Sequence, residues 1–306
     1  GDEVITPPIT FVATQATAIQ FGAVIKFADV LPDTGNINPA EVEKLVSKKT
    51  KAIVAVDYAG NPAQLDQLRE IADKYNIWLI EDAAHSLGTS FMNQPVGSIA
   101  DITTFSFFPT KNMTTGEGGA IASPNSELLN KARLFSRQGL IRDEKSFKIK
   151  TEGIWHQEVH DFGLNYRLPD ILCALGISQL KKLRARQSQK NEIFRRYSSE
   201  LDGIPNLKLP YPGETSEVNW HLYPIRVSPA KKEEVFNKMR SSGIGVQVNY
   251  IPAYWHPAFE TSMYPKGLCP VAEEFYRSEI SLPFYAELTE DQQSAVITAL
   301  RDAMTN

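Results

Sequence analysis

A lysine, Lys111, stands inside FSFFPTKNMTTGEGG (105–119), between an aromatic, strand-like run and a loop rich in threonine and glycine. One strand earlier, IEDAAHSLG (80–88) closes an apolar run on Glu81 and Asp82. A carboxylate at the end of a buried strand is costly unless something pairs with it. If the strands ending at Asp82 and near Phe108 lie close in one sheet, Asp82 and Lys111 converge on one crevice. Two readings then stand side by side. The pair is either a plain ion pair or the two groups that pyridoxal 5'-phosphate requires, an amine for its aldehyde and an acid for its pyridine nitrogen.

Residue order excludes the nearest alternatives. A P-loop places its lysine after the glycines, whereas Lys111 precedes Gly116, Gly118 and Gly119. GIGVQVNY (243–250) is not a GxGxxG fingerprint and lies too late in the chain for a dinucleotide site. His156 and His160 in WHQEVH have the i, i+4 spacing of a helical metal pair. The glutamate is one place too late for HExxH and no third ligand is evident, so no metal is expected.

The elements that must position these residues follow a β/α rhythm. Strands are predicted over 3–7, 25–30, 51–58, 77–84, 101–108 and 119–123, with helices over 13–22, 39–49 and 62–76. Apolar strands separated by helices predict an α/β fold with a mostly parallel sheet covered on both faces. Ligands in such sheets bind at the carboxyl ends of the strands. A long helix is predicted from near Pro169 to Leu201, its buried stripe being Ile171, Leu172, Leu175, Leu180 and Leu183. After it the pattern changes to strands over 221–228, 244–252 and 280–284 and helices over 229–242 and 289–304, which reads as a smaller α+β domain. The expected division is 1–188 for the large domain and 189–306 for the small one.

The 306 residues carry a net charge of −4, so no overall positive field recruits nucleic acid or an anionic membrane. The basic run KKLRARQSQK (181–190) reads as a solvated helix face. Cys173 and Cys269, far apart and among apolar neighbours, suit reduced thiols in a cytoplasmic protein. No apolar run is long enough to span a membrane.

Four separated motifs occur in one order: GDEVITPPITFVAT (1–14), EDAAHSLGT (81–89), FSFFPTKNMTTGEGGAI (105–121) and GLNYRLPDILCALGISQLKKL (163–183). Together with HLYPI (221–225) and AEEFYRSEISLPFYAELTEDQ (272–292), they make the chain resemble the DegT-type nucleotide-sugar aminotransferases, which are fold type I pyridoxal-phosphate enzymes. The resemblance runs along nearly the whole chain. It implies that Lys111 is the Schiff-base lysine and proton carrier and that Asp82 pairs with the pyridinium nitrogen. Ser106 would bond the cofactor phosphate, Phe11 would stack on the ring, and His85 would pack near the ring and Asp82. Asn165 would reach the phosphate of the neighbouring subunit's cofactor, so a homodimer with shared active sites is implied.

Each residue also has a plainer reading: Phe11 as a core aromatic, Ser106 as the polar face of a strand, His85 as a hydrogen-bonded structural residue, Asn165 as a helix cap. The amino donor implied is L-glutamate. The motifs are closest to the pseudaminic-acid branch, whose substrate is a UDP-linked 4-keto-6-deoxy-N-acetyl-hexosamine aminated at C4. Tyr250, Tyr254 and His221 are the candidates for substrate contact. The rivals are another UDP- or dTDP-keto-sugar, a non-catalytic regulator or scaffold with the same fold, and a sugar 3-dehydratase. Lys111 argues against the last, since those relatives carry histidine there. Family members also have a Gly-Thr turn opening a helix before the segment that matches GDEVI. Part of the phosphate cradle is therefore expected upstream of Gly1.

Overall fold

The computed structural model describes residues 1–211, 213, 216–260 and 263–305. Its centre is a six-stranded sheet built from β1 (Glu3–Thr6), β2 (Val24–Phe27), β3 (Thr50–Val56), β4 (Trp78–Asp82), β5 (Ile102–Ser106) and β6 (Gly119–Ala122), in the order β2-β1-β3-β4-β5-β6. All neighbours run parallel except β5 and β6, which are antiparallel. All six strands coincide with predicted runs. Their apolar character has a simple cause: β3 sends Ile53 and Ala55 to one buried face and Ala52 and Val54 to the other.

The helices α1 (Ala13–Gln20), α2 (Pro39–Leu45) and α3 (Leu65–Tyr75) connect the parallel strands. Local chemistry sets their ends. Asn38 Oδ1 accepts the Ala40 N–H at 3.0 Å with Pro39 in the first turn of α2. Asn76, in the left-handed conformation at φ 52°, ends α3. Leu65, Leu68, Ile71 and Ala72 form the buried face of α3 against the sheet. Truncating Leu68 to alanine there costs about 2–5 kcal/mol. A fourth helix, α4 (Ser126–Phe135), follows β6 with Asn125 as its cap.

The long helix α5 spans Asp170–Leu201, about 48 Å at 1.5 Å per residue. The boundary expected at residue 188 falls inside it. Its C-terminal half packs Ile193, Tyr197 and Leu201 against a second core, made by β7 (Tyr223–Arg226), β8 (Glu279–Leu282), α6 (Lys232–Ser241) and α8 (Glu290–Thr305). β7 and β8 pair antiparallel. Between them, α7 (Pro270–Ser278) returns to the first core, where Ala272 and Phe275 join Trp220 and Tyr254 over the sheet.

Two expectations fail here. The stripe on the N-terminal half of α5 is only partly buried within the chain: Leu183 is buried, whereas Ile171 is 83% exposed, and Leu175 and Leu180 are exposed too. Apolar spacing reports a face that is to be covered, not which chain covers it. Residues 244–252 do not form a strand. They make one isolated bridge, Gln247 to Ser281, before the chain leaves the sheet edge. The WHQEVH segment is not helical either; both imidazoles turn onto Glu158, and no metal-binding cluster occurs among the described residues.

Candidate active site

The carboxyl ends of β4 and β5 and the first turn of α1 open onto one cavity of about 1370 Å³. That exceeds the roughly 300–1,000 Å³ usual for a small-ligand pocket, so a cofactor and a large second molecule fit together. Phe11, Asp82, His85, Ser106, Lys111, His221 and Tyr250 all line it.

Pairing in the sheet brings the two key strands together. β4 and β5 are adjacent, with Asp82 opposite Thr104. Strand alternation separates the neighbouring carboxylates. Asp82 faces the cavity, whereas Glu81 is fully buried and accepts from Thr103 Oγ1 at 2.7 Å and the Gly97 N–H at 3.1 Å. Burial raises the Glu81 pKa.

Asp82 Oδ2 accepts from Thr14 Oγ1 at 2.7 Å and Oδ1 from the Ala84 N–H at 3.2 Å. Thr14 is in turn 2.9 Å from Thr10 Oγ1. The carboxylate is thus fixed without an ion pair. Among the described residues Lys111 has no side-chain hydrogen bond or salt bridge, so the plain ion-pair reading is not what the structure contains. Burial pushes the Lys111 amine down to about 8, against the smaller upward pull of Asp82.

The segment after β5 is tied down on both sides of Lys111. The Phe107 N–H donates to the Gly118 carbonyl and the Thr115 N–H to the Phe107 carbonyl. Positive φ at Gly116 (79°) and Gly118 (151°) lets the chain turn back into β6. Asn112 donates to the carbonyls of His85 at 3.0 Å and Asn219 at 2.9 Å. Gly60 supports the same junction, since a Cβ there would sit 2.7 Å from the Asn219 carbonyl and 3.0 Å from that of His85.

His85 and His221 meet with ring centroids 4.3 Å apart, and the Tyr250 hydroxyl lies 3.2 Å from His85 Nε2. Burial first, then the neighbouring His221 and Lys111 for His85 and Lys111 and Lys190 for His221, lowers both histidine pKa values well below the ordinary value. Both rings are therefore neutral, and His85 Nδ1 is buried with no partner. Burial pushes the Tyr250 hydroxyl up to about 12, so it stays protonated. Phe11 stands 63% exposed on the cavity lip with its ring 6.5 Å from that of Tyr250.

One residue expected at the cavity lies elsewhere. Tyr254 is a core residue: its hydroxyl donates to Glu273 Oε1 at 2.7 Å and accepts from the Cys269 N–H, and its ring packs on Phe27. It does not reach the cavity, because the short helical turn Ala253–Trp255 points it back into the sheet layer. Asn165 is exposed outside its own chain's cavity, where Oδ1 accepts from Arg167 Nε at 3.0 Å.

The basic run 181–190 is only partly solvated. Leu183, Gln187 and Lys190 are buried, and Arg186 lines the cavity with Lys190. Three residues were missed: Thr14, Arg186 and Lys190. For Lys190 a signal existed, since counting back from Leu201, Tyr197 and Ile193 in steps of three and four lands on 190, 187 and 183. For Thr14 none did, because only the fold brings α1 beside β4.

An amine free of partners, a fixed carboxylate, a hydroxyl at a strand end and an aromatic with an open face fit pyridoxal phosphate. They match its aldehyde, ring nitrogen, phosphate and ring plane.

Comparison with known proteins agrees. Residues 1–301 match the DegT/DnrJ/EryC1/StrS aminotransferase family. The UDP-4-amino-4,6-dideoxy-N-acetyl-β-L-altrosamine transaminase of Campylobacter jejuni (serotype O:2) is 38% identical over 295 residues, covering 93% of this chain and 74% of that protein. Among solved structures, Helicobacter pylori PseC, an aminotransferase of pseudaminic acid biosynthesis, superposes with a TM-score of 0.92 at 32% identity over 99% of this chain and 80% of its own. The PLP-form of the "putative sugar aminotransferase Spr1654" of Streptococcus pneumoniae gives 0.90 at 27% identity, over 100% and 81%. The chain belongs to the DegT/DnrJ/EryC1/StrS family and is a pyridoxal-phosphate-dependent sugar aminotransferase.

Proposed function

We propose that the protein moves an amino group from L-glutamate to C4 of a UDP-linked 4-keto-6-deoxy-N-acetyl-hexosamine, with Lys111 as its reacting amine. The convergence of Lys111 and Asp82 on one deep cavity carries the reading. The sugar is supported by the likeness to the Campylobacter transaminase, whose name specifies a UDP-linked 4-amino sugar.

When bound, pyridoxal phosphate supplies an aldehyde that condenses with amines and a cationic ring that takes up the electron pair left when a neighbouring C–H bond breaks. Everything else falls to the chain. With its pKa near 8, the Lys111 amine has a neutral fraction at physiological pH and can take up and return a proton. Asp82, locked by Thr14 and Ala84, would pair with the ring nitrogen. Ser106 offers a hydroxyl to the phosphate and Phe11 a face to the ring. His85 would pack beside them, and Tyr250 and His221, which line the same cavity, would meet substrate.

The active form in this reading is a homodimer. Trp155, Phe162, Tyr166, Ile171 and Ile177 are large apolar side chains that stand exposed, as an interface between copies would require. A second copy covering them explains both the exposed stripe of α5 and the position of Asn165 outside its own cavity. Two free thiols and a nucleotide-linked substrate support a cytoplasmic setting. No helix among the described residues is long and apolar enough to cross a membrane.

The test is an assay of the purified protein with pyridoxal phosphate, glutamate and a panel of UDP- and dTDP-keto-sugars. A visible band at about 400–430 nm that shifts on adding glutamate, with amination of the UDP-4-keto sugar, is expected. A protein that stays colourless and inert would overturn the reading. Preference for a dTDP sugar would overturn the substrate alone.

A further inference from the structure

Lys190 is 6% exposed, yet no carboxylate among the described residues offsets its burial. Its Nζ donates to Asn112 Oδ1 at 2.8 Å and to the Trp220 carbonyl. Asn112 passes the contact on, because its Nδ2 donates to the carbonyls of both His85 and Asn219. Both N–H groups of the Asn112 amide are thus used, and Lys190 favours this orientation: with Oδ1 on the amine, Nδ2 faces those two carbonyls. Asn112 directly follows Lys111, His85 lies three residues after Asp82, and Trp220 precedes His221. One amine on α5 thus joins the three segments that bring Lys111, His85 and His221 to the cavity.

A buried amine facing only neutral acceptors costs stability, and an apolar side chain of the same length packs such a place with less penalty. Arg186, four residues earlier on the same helix face, is nearby and repels it further. What the amine does and an apolar side chain cannot is donate two hydrogen bonds in fixed directions.

We propose that Lys190 is a positioning residue for amino transfer: through Asn112 it fixes the Lys111 loop against the His85 and Trp220 segments, and so sets where the Lys111 amine stands. The proposal rests on Lys111 being the reacting amine, which borohydride trapping locates independently.

The test is a double-mutant cycle of Lys190→Met and Asn112→Ala, with Lys190→Arg as the conservative variant. Lys190→Met is expected to lower kcat about 10- to 100-fold, with the KM for the amino donor within about twofold. The double variant should be no worse than either single one, because both remove one linkage. Lys190→Arg, which can donate to both acceptors, should recover most of the loss.

A second readout needs no turnover. In the cofactor-free proteins, acylation of Lys111 by acetic anhydride, followed by peptide mass spectrometry, should change in rate or pH midpoint in the Met and Ala variants and return in the Arg variant. Unchanged kcat and unchanged Lys111 labelling, or fully additive losses, would overturn the proposal and leave Lys190 a packing residue. If Lys190→Met does not fold, Asn112→Ala and Lys190→Arg carry the test: normal Lys111 labelling and kcat in Asn112→Ala overturn it equally.

Discussion

Two lysines line one cavity, one at a strand end and one on a helix, and their surroundings are opposites. On the strand-end wall, Lys111 has a carboxylate near enough to raise its proton affinity but no hydrogen bond, so its amine is free to move. On the helix wall, Lys190 is more deeply buried, has no carboxylate, and has an amide oxygen and a carbonyl in hydrogen-bond contact. Burial pushes both amines down, to about 8 and about 7. A lowered pKa therefore does not separate a reacting amine from a structural one; freedom from partners does.

The sharpest way to break the comparison is to remove each amine in turn. Lys111→Ala should cost about 10³-fold or more in aminotransferase rate while leaving the thermal midpoint within a few degrees. A Lys190→Met variant that loses as much would erase the distinction. Next, Asp82→Asn keeps the shape but removes the charge. We expect a loss on the order of 10²-fold together with weaker retention of pyridoxal phosphate, measured by absorbance after dialysis.

The exposed wall outside the cavity offers a third test. Ile171→Asp with Leu180→Asp should convert a dimer to monomers in sedimentation velocity and lower activity with it. Full activity in a monomer would sever the link between the α5 surface and the site.

Much of this was legible from residues alone, and the failures have physical causes. The six strands stood out because both faces of the sheet are buried, which makes each run apolar, as in β3. Lys111 and Asp82 were legible because strand ends in a parallel sheet share one edge. Lys190 was not, since residue type argued for solvent while helical spacing argued for the core, and spacing won. Tyr254 was misplaced because a tyrosine four residues from Tyr250 says nothing about direction, and the turn Ala253–Trp255 sends it to Glu273. In the 244–252 run only Val246 is buried apolar core, while Gln247, Asn249 and Tyr250 border the cavity, so alternation there reflects the site and not a ladder.

A finer test uses pH. The unfolded chain holds a proton on Lys190 up to about 10.5, whereas the folded chain releases it near 7. Between those values the unfolded state binds more protons, so this group makes folding more favourable as pH rises through the window and contributes its full penalty below 7. In urea titrations of the cofactor-free protein, the stability of wild type relative to Lys190→Met should rise with pH across that range, so that any deficit of the wild type near pH 7 shrinks. A constant difference would contradict a buried, unpaired amine.

The smallest effect on activity is expected from Tyr254→Phe. It should cost about 1–2 kcal/mol of stability by removing the Glu273 and Cys269 contacts. The KM for the sugar nucleotide should stay unchanged; a marked rise would restore Tyr254 to the site.

Which lysine reacts can be read directly. Incubating the protein with pyridoxal phosphate, reducing with borohydride and mapping the modified peptide by mass spectrometry should place the label on Lys111 and leave Lys190 unlabelled. A label on Lys190, or on any lysine outside the loop after β5, would contradict the assignment of this cavity's chemistry to Lys111.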